Sequence, residues 1–239
     1  MFFAGCTSAV TKQLTKGLVA SAKMLETAGV KFAIMGQDEP CCGSTLLRVG
    51  QREAYEELTR TNVRKFEQLG IKKIVTACPG CYATMRDSLK DSGIQVKHIS
   101  QELARLIGRG ELKLHMSSER MTYHDPCHLG RLGGVFDEPR EMIRAVAQLV
   151  EMPNSRYESR CCGAGAGLQS AFPKLSRDLA AKRVAEAKAT GATTLVTSCP
   201  FCETQLRSVP GIKVVDLLEL LMDSMENNGK NSRPAHAAD

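Results

Sequence analysis

The chain has 239 residues, 43% hydrophobic and 24% charged, ordinary values for a globular protein, and no apolar run approaches the roughly 18 residues of a bilayer span. Its net charge of +6 is spread over helices that alternate Lys and Arg with Glu and Asp, and aromatics are 5% with no Trp, which argues against a nucleic-acid surface of basic stripe and stacking rings. Met1-Phe2-Phe3-Ala4-Gly5-Cys6 has neither the basic flank nor the long apolar core of a secretory signal, so a reducing, cytoplasmic setting is expected; its ten cysteines then read as metal ligands or redox groups before disulfides.

In chain order, Phe2 to Ala4 reads as a short strand and Thr11 to Ala28 as a helix, with apolar residues at Leu14, Leu18, Ala22 and Leu25 and a stop at Gly29. Val30 to Met35 alternates like a strand, residues 36–43 form a loop, and Gln51 to Leu69 is a charged amphipathic helix closed by Gly70. The β-branched run Ile71 to Ala77 leads into a helix begun by Pro79; Ile94 to His98 is a further strand, and Ser100 is the expected N-cap of a helix over 101–107. Gly108, Gly110 and the polar residues to Glu119 mark a linker. The second unit repeats the plan: a strand at Met121 to His124, a helix over 138–149, a strand at Val150 to Met152, a helix over 173–190, strands at Ala192 to Thr197 and Ile212 to Val215, and a helix from Asp216. The expected division is 1–115 and 120–226, with 227–239 a disordered tail.

All ten cysteines fall in one pattern that occurs twice. Cys6, Cys41-Cys42-Gly43 and Cys78-Pro79-Gly80-Cys81 are followed by Cys127, Cys161-Cys162-Gly163 and Cys199-Pro200-Phe201-Cys202, with 34 and 35 intervening residues in the first copy and 33 and 36 in the second. Alternating strands and helices imply a parallel sheet covered on both faces. The fold expected is therefore α/β: two tandem Rossmann-like parallel-sheet halves related by pseudo-twofold symmetry. Ligands of such sheets lie beyond the carboxyl ends of the strands, where every cysteine segment falls in this reading, and adjoining helix N-termini favour thiolates.

Zinc prefers four ligands and would leave thiols over in each half. A thioredoxin-like dithiol accounts for Cys199-Pro200-Phe201-Cys202 but not for the Cys-Cys-Gly elements or for Cys6 and Cys127. A c-type haem needs His where Tyr82 and Glu203 stand. Zinc and dithiol chemistry stay as rivals; five thiols per half suit an iron–sulfur cluster with one ligand beyond the usual four.

The doubled motif, with His124-Asp125-Pro126-Cys127-His128-Leu129-Gly130, resembles the cysteine-rich CCG domains of the heterodisulfide reductase catalytic subunit and its relatives, over about residues 2 to 222. The resemblance implies two noncubane [4Fe-4S] clusters, one on Cys6, Cys41, Cys42, Cys78 and Cys81 and one on Cys127, Cys161, Cys162, Cys199 and Cys202. It implies an oxidoreductase subunit that reduces a disulfide to two thiols, or the reverse, one electron from each cluster. The electrons would come from a small subunit with two cubane [4Fe-4S] clusters, itself fed by a flavoprotein or membrane cytochrome, which would place the complex in the cytoplasm or at the membrane periphery. The alternative is an electron-transfer subunit of a respiratory complex of the 2-hydroxyacid oxidase, fumarate or succinate, or flavoprotein-to-quinone type. His128 and His124 flank Cys127 and are the candidate proton donors; Arg48 and Arg131 follow cluster loops and are candidates for holding an anionic substrate. Asp125 reads as a turn cap, and Gly163 to Gly167 as tight packing, lacking the Lys-Ser/Thr ending of a phosphate loop.

Overall fold

The computed structural model describes the backbone of residues 1–231 and the side chains of residues 1–226. Two parallel sheets run through it. In the first, β1 (Phe2–Phe3), β2 (Lys73–Thr76) and β3 (Gln95–His98) lie side by side in sequence order, with Phe3 opposite Thr76 and Thr76 opposite His98. In the second, β5 (Gln148–Leu149), β4 (Arg120–His124), β6 (Thr194–Thr197) and β7 (Lys213–Asp216) lie in that order, with His124 opposite Thr197 and Thr197 opposite Asp216. Parallel strands need crossovers, and helices supply them.

In the first half the helices are α1 (Cys6–Val10), α2 (Thr15–Thr27), α3 (Ser44–Arg48), α4 (Arg52–Gln68), α5 (Pro79–Ser88) and α6 (Ile99–Gly108). The second half carries α7 (Asp137–Arg144), α8 (Leu168–Ala171), α9 (Pro173–Ala189), α10 (Pro200–Arg207) and α11 (Leu217–Asn231). Strands buried on both faces, such as Thr194–Thr197, explain the unbroken apolar runs in the sequence. No described helix is long and apolar enough to cross a membrane.

Five local expectations need correction. Val30–Met35 joins no ladder: β1 offers it only Phe2–Phe3, and a single bond forms, from Phe2 N–H to Ala33 O at 2.9 Å. The helix expected to reach Leu149 ends at Arg144, because Gln148 N–H is captured by Glu119 O and Gln148–Leu149 pairs with β4. The strand expected at Val150–Met152 is thereby displaced towards the N-terminus, although Val150 N–H still reaches Met121 O at 2.7 Å. The cap of α6 is His98 rather than Ser100: His98 Nδ1 accepts from Ser100 N–H, and the Gln101 side chain accepts from His98 N–H. Of the expected tail, residues up to Asn231 continue α11, and 232–239 lie outside the described residues.

The two halves share a core. Phe2, Met24, Leu103 and Leu106 from one side pack in the same buried cluster as Tyr123, Met142, Ile143, Leu217 and Leu221 from the other. Helices α6 and α7 lie in contact across this seam, as do α2 and α11. A further apolar cluster fills each half, and the first-half one includes Leu129 and Val135 from the loop after Cys127. This shared packing turns the carboxyl ends of both sheets towards one place.

Candidate metal centre

Cys6, Cys78 and Cys199 occupy strand-to-helix turns and Cys127 follows β4, but the pairs Cys41-Cys42 and Cys161-Cys162, expected to follow strands as well, lie in loops after single 3-10 turns, because the segments before them do not pair as strands there. Cys6 opens α1 after Gly5, whose φ of 78° is a left-handed conformation and whose absent Cβ would sit 3.3 Å from Cys81 Sγ. Cys78 and Cys199 are the residues before α5 and α10, each followed by Pro at the first helical position, where no N–H is missed. Gly43 and Gly163 turn the chain at φ of 79° and 88°, and their N–H groups point back to Cys41 Sγ at 3.4 Å and Cys161 Sγ at 3.3 Å.

All ten thiols line one cavity of about 350 Å³, together with Thr7, Arg48, His128 and Phe201. Cys78, Cys81, Cys162, Cys199 and Cys202 are buried, Cys42, Cys127 and Cys161 half-buried, and Cys6 and Cys41 exposed; every one is a free thiol. A larger groove of about 510 Å³ between α2 and α11 contains no thiol or histidine, so the chemistry points to the smaller cavity.

Within each half the sulfurs share protons. Hydrogen bonds from Cys41 and Cys81 bring the Cys42 thiol down to about 3, while hydrogen bonding to Cys42 and Cys78 pushes Cys81 up. The second half repeats this: Cys161 and Cys202, then His124, hold Cys162 well below the ordinary thiol range, and Cys202 is pushed up. The thiolate is the form that ligates, so a bound metal would displace the protons these sulfurs share. Soft sulfur donors select zinc, copper(I) or iron–sulfur clusters. Five per half exceed the four of tetrahedral zinc, and this all-sulfur donor set suits iron–sulfur ligation.

The sequence candidates divide on inspection. His128 lies on the cavity wall with Nδ1 3.8 Å from Cys127 Sγ, and burial, then the charge of Arg48, lower its pKa. Arg48 is also on the wall, its Nε buried without a hydrogen-bond partner, and no other Arg, Lys, Asp or Glu lines the cavity among the described residues. Arg131 is turned away, donating from Nη1 to the backbone carbonyls of Tyr157 and Ser159, so it braces the loop that precedes Cys161. His124 is 1% exposed and off the wall. Asp125 does more than cap a turn: it receives both Nη atoms of Arg140 at 2.7 and 2.9 Å and the N–H of Arg156 at 2.8 Å. The Gly163–Gly167 stretch contributes to the wall, with Ala166 at φ 55°.

Sequence reasoning missed Arg140, Arg183, Glu39 and Asn62. Glu39 accepts the N–H groups of Ala4 and Gly5 at 2.8 Å each and so sets the Cys6 turn; Asn62 donates to Cys41 O at 2.8 Å. Arg140 and Arg183 sit among helix charges that look solvated in sequence, yet both are fully enclosed. The one available signal was the repeat itself, which aligns Asn62 with Arg183.

Comparison with known proteins agrees with this geometry. The cysteine-rich domain named CCG matches residues 1–86 and again 121–207. The chain is 36% identical, over 94% of its length, to one subunit of the dihydromethanophenazine:CoB--CoM heterodisulfide reductase of Methanosarcina barkeri, covering 58% of that protein. It is 31% identical over 95% of its length to the EtfAB:quinone oxidoreductase of Syntrophomonas wolfei, covering 34% of it. It is also 32% identical, over 92% of its length, to one subunit of the fumarate reductase (CoM/CoB) of Methanothermobacter marburgensis, covering 45% of it. The chain thus spans between a third and three-fifths of the length of these relatives. With two complete copies of the motif facing one cavity, the chain belongs to the CCG cysteine-rich domain family.

Proposed function

We propose that this chain is the catalytic part of a heterodisulfide-reductase-like iron–sulfur oxidoreductase, which cleaves a disulfide to two thiols or runs the reverse. The observation that carries the proposal is that two five-thiol sets from different halves open on one cavity. Cleavage breaks one S–S bond and forms two S–H bonds, consuming two electrons and two protons; iron–sulfur clusters supply electrons singly, which gives a reason for two of them at one site. Cys6, Cys41, Cys42, Cys78 and Cys81 would hold one [4Fe-4S] cluster, of noncubane type, and Cys127, Cys161, Cys162, Cys199 and Cys202 the other. Arg48 would orient an anionic arm of the substrate, and His128 would exchange a proton with a substrate sulfur. A small subunit with two cubane clusters, linked to a flavoprotein or a membrane cytochrome, is the expected electron source, in the cytoplasm or at the membrane periphery.

The likeness to an EtfAB:quinone oxidoreductase and to part of a fumarate reductase favours a second reading, a relay that passes electrons without binding a disulfide. Anaerobic purification with iron, sulfide and zinc analysis should find about eight iron atoms per chain, two four-iron clusters; colourless, zinc-loaded protein rules out both readings. Disulfides added to the reduced protein should then produce a thiol-bound cluster signal in paramagnetic resonance. Rapid exchange with a quinone or flavoprotein and no disulfide-dependent signal selects the relay.

A further inference from the structure

His124 ends β4 beside the thiols yet outside the cavity wall, which is the wrong place for a proton donor to substrate. Its partner explains what it does. Arg183 of α9, fully buried, directs Nε–H to His124 Nδ1 at 3.0 Å. A guanidinium is always charged and offers only donors, so Nδ1 must accept and the ring's single proton is on Nε2. A second ring proton would set two N–H groups against each other beside a buried cation. Arg183 has no freedom to leave: Nη1 donates to Asn154 O and Glu186 Oε2, both at 2.8 Å, and Nη2 to Ser159 Oγ at 3.1 Å. A ring nitrogen of His124 lies within 4.8 Å of the sulfurs of Cys162 and Cys202. With Nδ1 occupied, Nε2 is the nitrogen left to face them.

The first half has no such pair. Cys6 and Cys127, Cys78 and Cys199, and Cys81 and Cys202 are each 121 residues apart, and the strand registers agree, Phe3 opposite Thr76 as His124 is opposite Thr197. On that offset Phe3 stands for His124 and Asn62 for Arg183. A phenyl ring has no proton to offer a sulfur.

We infer that His124 is a positioning residue: locked by Arg183 as an Nε2–H donor, it hydrogen-bonds the Cys162 sulfur and makes the two cluster sites electronically unequal. This rests on the cluster reading above. A hydrogen bond to a ligand sulfur, backed by a buried positive charge, stabilises the more negative, reduced state of a cluster. The second-half site therefore accepts an electron at a higher potential than it would with the first half's phenyl ring in place, and the two electrons acquire an order of arrival. The proximity of the His124 ring to the Cys162 and Cys202 sulfurs, within 4.8 Å, is the geometry such a donor requires.

The test uses the whole chain, purified anaerobically, in two backgrounds: Cys81→Ala to isolate the second-half cluster and Cys202→Ala to isolate the first. Two variants are compared: His124→Phe copies the first half, while His124→Gln keeps an N–H donor and an oxygen to accept from Arg183. In a redox titration followed by paramagnetic resonance, His124→Phe should shift the midpoint of the second-half cluster downward, His124→Gln should restore most of it, and neither should move the first-half cluster. An unmoved midpoint, or equal shifts in both backgrounds, overturns the inference. Nitrogen-15 spectra of the metal-free chain should show His124 as the Nε2–H tautomer, with Nδ1 accepting from Arg183; an Nδ1–H tautomer overturns the inference whether or not iron binds. Absence of iron in the purified protein would instead refute the cluster reading, and the two failures stay distinct.

Discussion

Arg140 has no exposed surface, and its guanidinium meets Asp125 on one edge and Glu151, at 2.6 and 3.0 Å, on the other. Asp125 is two residues before Cys127, so this buried pair fixes the turn that presents the first thiol of the second half. Arg140→Ala leaves a buried carboxylate without its counter-charge, a change that costs about 3–5 kcal/mol. Urea unfolding should show that loss, and an unchanged midpoint would mean water replaces the guanidinium freely. Asp216 is a different buried charge. Burial, with Glu219 nearby, pushes its pKa up to about 7, while Leu218 N–H donates to its Oδ1. It is protonated in the fold at mild acidity, whereas the unfolded carboxyl ionises above about 4, so its contribution is fully present below that value and is lost as pH rises to about 7. Asparagine has no such dependence. The stability of Asp216→Asn relative to the parent should therefore rise by up to about 4 kcal/mol between pH 4 and 7 and then level off; a pH-independent difference in melting curves would contradict the assignment.

Among the elements, the loops after the Cys-Cys pairs depend on glycine where the backbone leaves no choice. Gly163 sits at φ 88° with Ser176 O so near that a Cβ would clash with it, and Ser176 Oγ in turn donates to Gly163 O at 2.8 Å. Gly163→Ala must move the start of α9 or the Cys161-Cys162 turn, at a cost of at least about 1–2 kcal/mol. It should reduce the iron content of the second half while sparing the first. Gly165→Ala meets nothing within 4 Å and serves as the control, with stability unchanged to within about 0.5 kcal/mol. Equal iron loss in both variants would show that loop flexibility, not the Ser176 contact, matters. The edges of the sheets were the least legible elements in sequence. Val30–Met35 alternates like a strand but has a two-residue neighbour to pair with, and Gln148–Leu149 continues a helical pattern until β4 captures its backbone. In both places tertiary hydrogen bonding overrides local preference.

For the molecule as a whole, the shared core decides how the halves behave. Leu221 of α11 is fully buried in the cluster that also holds Met24 of α2 and Leu103 of α6. Leu221→Ala should cost about 2–5 kcal/mol and lower the stability of both halves together. Thiol labelling of the metal-free protein would follow Cys78 and Cys81 in one half and Cys199 and Cys202 in the other. A single common transition is expected, and two separate ones would mean that each half folds by itself. The shared seam also orients the sites: two sheets packed through α6, α7, α2 and α11 keep their carboxyl ends, and so their thiols, on one cavity.

The parallel α/β halves, the strand-to-helix placement of Cys6, Cys78 and Cys199 and the division of the ten cysteines into two sets of five were legible in the amino-acid sequence, whereas the two Cys-Cys pairs lie in loops that no strand precedes directly. Each follows from local rules: short apolar runs, glycine and proline punctuation, and a motif whose spacing repeats. Such rules could not separate His128 from His124 or Arg48 from Arg131, because all four lie within a few residues of similar cysteine loops. It took the packed chain to settle that His128 and Arg48 face the cavity, that Arg131 holds a loop, and that His124 is bound by Arg183 from 59 residues away. The direction of a side chain depends on which distant group satisfies it once buried, and that partner is set by packing across the fold rather than by neighbours in the chain.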